Sequence, residues 1–334
     1  MIPAFATTGI GSLPHRNALD ACGLILDTFD IPFWPQLPHV SFKEFMVPQY
    51  TEGMPFARID AEKQTVWVER NGSDQLERFY EAWTPQSRIA ISEDYGRGLH
   101  IFLNVIKNRQ FRFLKGHVTG PLTFALGLKD ETGKPVFYDE ELREVSLMLL
   151  KAKTLWQADQ LRAHAAKVVI FIDEPILSAL GTSSYLGVSS EEALRMLQEM
   201  TSCIREAGCI SGIHCCGNAD WPFVTSTGTD IISFDAFDYA DTLALYPEEV
   251  GSFLEKGGRL AWGIVPTSDA IAAVSPEVVR ERFDLGMHSL SRQIPASLLS
   301  SNILLTPSCG TGSRTIDETL KIFQLLIRLR ESLT

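Results

Sequence analysis

The stretch Val168-Val169-Ile170-Phe171-Ile172-Asp173-Glu174-Pro175 is a strand-length apolar run that ends abruptly in two carboxylates. Before it lies Asp139–Ala166, long and with Leu and Ala at helical spacing; after it, Ser190–Ala207 opens on a Ser-Ser-Glu-Glu capping signal. A strand set between two helices is the repeating unit of a parallel sheet. Working outward, further strands are expected at Thr7–Ser12, Pro32–Leu37, Phe111–Val118, Gly212–Cys216, Ile231–Asp235, Leu260–Val265 and Ile303–Thr306, with amphipathic helices at Pro276–Ser291 and Thr315–Ser332. Eight strands alternating with helices predict an α/β fold, a (β/α)8 TIM barrel forming one domain over residues 1–334. The exception is a long insertion after strand 2, at about 38–109, too long for one strand-to-helix connection. Within it Phe56–Glu69 holds two alternating runs around a polar turn, which reads as a hairpin above the barrel mouth.

Composition narrows the function classes. Hydrophobic content of 45% with 21% charged residues marks a soluble globular chain. A formal charge of -11 argues against a nucleic-acid partner, whose phosphates demand a basic face. No apolar run approaches the ~20 residues that span a bilayer, so no membrane role is expected. The start Met-Ile-Pro-Ala-Phe-Ala-Thr-Thr lacks a basic region and a continuous apolar stretch, so no signal peptide is expected. Six unevenly spaced cysteines do not resemble a secreted disulfide framework, and a reducing, cytoplasmic setting fits them.

Three separated strings carry metal-ligand types. Ser211-Gly212-Ile213-His214-Cys215-Cys216-Gly217 holds His214 and Cys216, the run from Asp230 closes on Asp235, and Leu304-Leu305-Thr306-Pro307-Ser308-Cys309 closes on Cys309. Alternation along a strand sends His214 and Cys216 to one face and Cys215 to the other. An imidazole and two thiolates gathered from distant strand ends suit zinc, with the fourth position open to Asp235, water or a substrate sulfur. Ligands dispersed in this way describe a catalytic site better than a structural one, which usually collects cysteines in short local pairs. All four residues fall at the carboxyl ends of the expected strands, where barrel chemistry sits.

Other strand ends add polar groups. Thr8-Gly9-Ile10-Gly11-Ser12 offers backbone N–H groups and a hydroxyl suited to a carboxylate. Asp173 or Glu174 could meet a substrate ammonium, or serve a helix cap or a solvated surface instead. Lys115-Gly116-His117-Val118-Thr119-Gly120-Pro121 supplies more, with His117 read as a structural hydrogen-bonder.

With those residues in order along the chain, the sequence resembles the catalytic, carboxyl-terminal barrel of cobalamin-independent methionine synthase, in a short core form. The resemblance rests on Thr7–Ser12, Val118-Thr119-Gly120-Pro121-Leu122-Thr123, Ile172–Pro175, His214-Cys215-Cys216, Asp230–Asp235 and Pro307-Ser308-Cys309-Gly310. It implies zinc held by His214, Cys216, Cys309 and Asp235, the homocysteine carboxylate held by Ile10, Gly11 and Ser12, and its amino group by Asp173. Corrinoid-dependent coenzyme M methyltransferases and the uroporphyrinogen decarboxylase-like superfamily are related barrels, so another thiol acceptor or a metal-independent decarboxylation are the alternative activities.

Three departures matter. Asp235 stands where the family has a Glu; Trp262–Ser268 holds no histidine where the family has a catalytic one; and no second, amino-terminal barrel is expected in a chain of this length. No catalytic residue is therefore assigned beyond the zinc site. The resemblance implies a zinc-dependent methyltransferase that forms methionine from homocysteine. The departures point to methylcobalamin or a methylated corrinoid protein as the donor, because a methylcorrinoid needs no acid on its leaving group whereas methylfolate does.

Overall fold

The computed structural model describes residues 1–70, 72, 74–182, 185 and 187–334. In chain order the strands are β1 (Ala6–Thr7), β2 (Ala57–Asp60), β3 (Thr65–Val68), β4 (Phe111–Thr119), β5 (Lys129–Asp130), β6 (Ala165–Asp173), β7 (Ile210–Cys215), β8 (Ile231–Asp235), β9 (Arg259–Val265) and β10 (Ile303–Pro307). Seven of them form one parallel sheet in the order β1-β10-β9-β8-β7-β6-β4. Helices connect them, and their starts follow from local chemistry. Asp139, Ser189 and Ser275 each accept a backbone N–H three residues on, and Thr315 with Glu318 forms a capping box.

The two faces of this sheet do different work. On β6, Val168, Ile170 and Ile172 join the large core shared with the helices, whereas Val169 and Phe171 join a second cluster. That second cluster draws Ala6 from β1 at one edge of the sheet and Phe113 from β4 at the other. Residues from opposite edges meet only because the sheet curls, leaving an apolar plug on its concave side. Further along the same face of β6 comes Asp173, so that face turns polar toward the carboxyl ends.

The expected second strand, Pro32–Leu37, forms no ladder. Residues 31–36 lie between β1 and β4 and form isolated bridges, Ser12 to Gln36 and Phe33 to Lys115, in place of a strand, so the sheet is not closed into the expected barrel. Backbone bonds run from Ile31 N to the Thr7 oxygen (3.0 Å), from Gln36 N to the Gly11 oxygen (3.0 Å) and from Lys115 N to the Pro32 oxygen (2.8 Å). The physical reason is twofold. Pro32 and Pro35 have no N–H to give a ladder. In place of a ladder, the Gln157 amide takes over: its Oε1 accepts from His117 N (3.0 Å) and Trp34 Nε1 (2.8 Å), and its Nε2 donates to the His117 carbonyl (2.9 Å). The approach requires glycine at 116, where a Cβ would stand 1.9 Å from Gln157 Oε1. The first expected strand is likewise shorter, confined to Ala6–Thr7.

In the long stretch after residue 37, β2 and β3 pair as an antiparallel hairpin, as the alternation predicts, and β5 extends them to a three-stranded sheet. The stretch also carries helices Gln75–Ala82 and Arg97–Ile106. It reaches the carboxyl end of β4 through Thr119 Oγ1 to the Met46 carbonyl (2.7 Å) and Tyr50 Oη to the His117 carbonyl (2.8 Å). Among the described residues, no helix is long and apolar enough to cross a membrane.

Candidate metal centre

His214 is the penultimate residue of β7, and Cys216 follows its end. Cys309 follows β10 by two residues. One ring nitrogen of His214 and the sulfurs of Cys216 and Cys309 all lie within 4.8 Å of one another. Ser233, the register partner of His214 on β8, engages Nδ1 through its hydroxyl at 3.0 Å. That leaves Nε2 as the nitrogen open to a ligand, and it is buried without any partner in hydrogen-bond geometry. An imidazole fixed through one nitrogen with the other free is the usual arrangement of a metal-binding histidine.

The electrostatics also fit a cation. Cys309 and His214 beside it hold the Cys216 thiol down to about 4, whereas the Cys216 thiolate and burial push Cys309 well above the ordinary thiol range. By itself the pair therefore carries one negative charge, since two thiolates at such close range repel. A divalent cation would stabilise both as thiolates, and soft sulfur with imidazole is a zinc-type donor set. Cys215 faces the other way: it is 1% exposed, lies in the outer core, and is pushed up to about 12 by burial.

Asp235 lies on the same face of β8 as Ser233, but its Oδ1 accepts from Phe237 N (3.0 Å) and Asp238 N (3.1 Å), capping helix Ala236–Leu243. The structure gathers His214, Cys216 and Cys309 without it. Burial raises its carboxyl to about 6. Asp173 ends β6 and pairs in register with His214. Burial raises it to about 6, opposed by His214 and by the Lys115 ammonium, and its Oδ1 has no partner. Its neighbour Glu174 is fully buried and accepts from Leu122 N (2.7 Å), Thr123 N (3.0 Å) and Thr123 Oγ1 (2.6 Å), capping helix Pro121–Gly127 from just beyond the end of β6.

The Ile10-Gly11-Ser12 turn packs against both sides of the mouth. Buried Lys115 Nζ donates to the Ile10 carbonyl, a Cβ on Gly11 would stand 2.9 Å from the His117 ring, and Ser12 Oγ accepts from Gly312 N at 3.2 Å. A Cβ on Gly310, next to Cys309, would stand 2.2 Å from Ser12 Oγ, so this turn and the Cys309 loop are in direct contact. Sequence reasoning missed Ser233 and Thr306. Strand parity carried the signal for both: Ser233 is two residues before Asp235, and Thr306 two after Leu304 of the inner plug. The side-chain atoms His117 Nδ1 and Nε2, Asp173 Oδ1, His214 Nε2 and Thr306 Oγ1 are all buried and unpartnered, on β4, β6, β7 and β10. Buried polar groups are normally satisfied, so these unmet atoms at the sheet's carboxyl ends make this the candidate site.

Fold and site together define a class, a curled parallel α/β protein carrying a His-Cys-Cys ligand set at its strand ends. No protein-family model matches the chain, and no curated protein does. Among solved structures it is similar to a B12-independent methionine synthase from Shewanella sp. W3-18-1, solved in complex with selenomethionine. The two share 15% identity and a TM-score of 0.61, over 98% of this chain and 97% of that one. A GH20 catalytic module of the pneumococcal exo-β-D-N-acetylglucosaminidase StrH superposes less well, at 11% identity and a TM-score of 0.47 over 98% of this chain and 82% of that one. The first likeness is one of fold and extends along both chains.

Proposed function

We propose that this chain is a zinc-dependent methyltransferase acting on the thiol of homocysteine to form methionine, built as a single (β/α)8 domain in which residues 31–36 take the place of the second strand. The observation that carries the reading is the convergence of a His214 ring nitrogen and the Cys216 and Cys309 sulfurs within 4.8 Å at the strand ends. The full-length fold likeness to a methionine synthase is in keeping with it.

His214, Cys216 and Cys309 would hold the ion, with Asp235 close by on β8 and free to join only by giving up its helix cap. Bound zinc supplies a Lewis acid that favours the thiolate form of a substrate thiol at neutral pH. The chain's own residues then fix the rest. Ser233 orients the His214 ring. Asp173, beside that ring, meets the substrate ammonium, while Ser12 and the backbone of the Ile10–Ser12 turn face its carboxylate. Helix capping by Glu174 sets the end of β6 from which Asp173 projects. Coenzyme M carries a sulfonate and no ammonium, so Asp173 disfavours it. Decarboxylation of a polycarboxylate would call for arginines at the mouth; Arg16, in the turn after β1, is exposed and bonds the His39 carbonyl.

The corrinoid donor inferred from the sequence gains no support: the solved structure of like fold is a B12-independent enzyme. Metal analysis of the purified protein, followed by methyl transfer to homocysteine from methyltetrahydrofolate and from methylcobalamin in parallel, tests the reading. About one zinc per chain and methionine formed with either donor support it. A metal-free protein inactive with both overturns it.

A further inference from the structure

The His117 ring is buried with both of its nitrogens unmet: it is 1% exposed, and neither Nδ1 nor Nε2 has a hydrogen-bond partner. Its backbone, by contrast, is fully used, bonded by Gln157 on both the N–H and the carbonyl and by Tyr50 on the carbonyl. One ring face stacks on Trp34 with centroids 3.8 Å apart and planes at 26°. A ring required only for that packing gains nothing from two unmet nitrogens, because buried histidines are ordinarily hydrogen-bonded.

Its surroundings say what would satisfy it. The ring abuts Gly11, where even a Cβ would stand 2.9 Å from Cε1 and Nδ1. Lys115, two residues earlier on the same face of β4, donates to the Ile10 carbonyl and is the charged group whose field reaches the ring. Together with burial it holds the imidazole well below its ordinary pKa, so the ring is neutral and offers one N–H. A neutral N–H donor beside an ammonium suits an anionic oxygen.

We propose that His117 is a specificity-determining residue that donates a hydrogen bond to the carboxylate of the thiol substrate, alongside the Ile10-Gly11-Ser12 turn. This assignment rests on the thiol reading of the site. It gives β4 a direct part in choosing among thiols, whereas the metal ligands would accept any of them.

The test compares the zinc-loaded native protein with His117→Leu and His117→Gln, using homocysteine and 3-aminopropane-1-thiol, which keeps the amine and thiol but lacks the carboxylate. Binding is read by calorimetry, so that turnover is not needed, and kcat and KM are read wherever methyl transfer occurs. The leucine variant is expected to bind homocysteine roughly 10–100-fold more weakly, as for loss of a hydrogen bond to a charged group, and to bind 3-aminopropane-1-thiol as the native protein does. The glutamine variant, which restores a donor, is expected to recover most of the loss, and any kinetic effect should fall on KM. Equal weakening toward both thiols, or no weakening toward either, overturns the assignment, as does failure of glutamine to rescue a leucine variant that melts like the native protein. If the native protein binds homocysteine with this carboxylate preference but transfers no methyl group, the methyltransferase reading fails while the role of His117 stands. If it binds neither thiol, both fail.

Discussion

Asp173 and His214 are register partners on adjacent parallel strands, so a carboxylate and a candidate metal ligand leave the sheet side by side. The carboxylate is held near the His214-Cys216-Cys309 cluster by backbone pairing rather than by a flexible loop. On the proposed reading, a thiol with an ammonium a few bonds away would meet complementary charge there without rearrangement of the chain.

Metal content should separate the three cysteines of the two ligand strings. Cys216→Ser and Cys309→Ser are expected to lose high-affinity zinc, whereas Cys215→Ser keeps about one ion per chain, since Cys215 lies in the outer core. Elemental analysis after dialysis against a weak chelator decides it. Equal loss in all three would overturn the assignment of ligands by strand parity.

Ser233→Ala removes the hydroxyl that engages His214 Nδ1. Zinc affinity is expected to fall by roughly 10–100-fold, as for other residues that orient a ligand, with the melting temperature of the metal-free protein little changed. Competition titration against a chromogenic chelator measures it, and unchanged affinity would show that the hydroxyl does not fix the ring.

Asp173→Ala is expected to lower kcat/KM for homocysteine by about two orders of magnitude, the cost of removing one charged partner at a desolvated site. Zinc content should stay the same, and coenzyme M, which lacks the ammonium, should not lose in parallel. A variant as active as the native enzyme would sink the proposed contact to the amino group.

Glu174 gives a pH signature. Burial raises its carboxyl from 4.5 to about 7, against the three donors that bond it. Between those values the folded chain keeps a proton that the unfolded chain has lost, so the stability contributed is full below about 4.5 and declines as pH rises to about 7. The melting-temperature difference between native protein and Glu174→Gln should therefore shrink from pH 4.5 to 7. A difference that grows over that window would mean that the donors outweigh burial.

Gln157→Leu should destabilise the protein by at least ~2 kcal/mol, because the His117 N–H and the Trp34 indole N–H lose their buried partner at about 1–3 kcal/mol each. Chemical denaturation measures this. A change within about 0.5 kcal/mol, typical of a surface substitution, would show that the amide does not stand in for the missing ladder.

Much of this molecule is written locally. The order of the parallel strands from Phe111 onward follows from apolar runs, and the four longest helices from periodicity and caps, as at Ile231–Asp235 and Pro276–Ser291, where the expected and observed limits coincide. The separation of Cys215 from Cys216 follows from strand parity alone. Other features depend on contacts between distant residues, to which local patterns are blind. Residues 31–36 have the apolar character of a strand, yet two prolines and the side chain of Gln157, more than a hundred residues away, replace the ladder with single bridges. Asp173 and Glu174 are adjacent carboxylates that strand parity separates, but only the assembled fold shows that Glu174 meets the first amides of helix Pro121–Gly127. The partner of His214, Ser233, and the two unmet nitrogens of His117 likewise emerge only when the strands are in register. Alternation and capping are one-dimensional signals, whereas burial of a polar atom and the identity of its partner are properties of the assembled core.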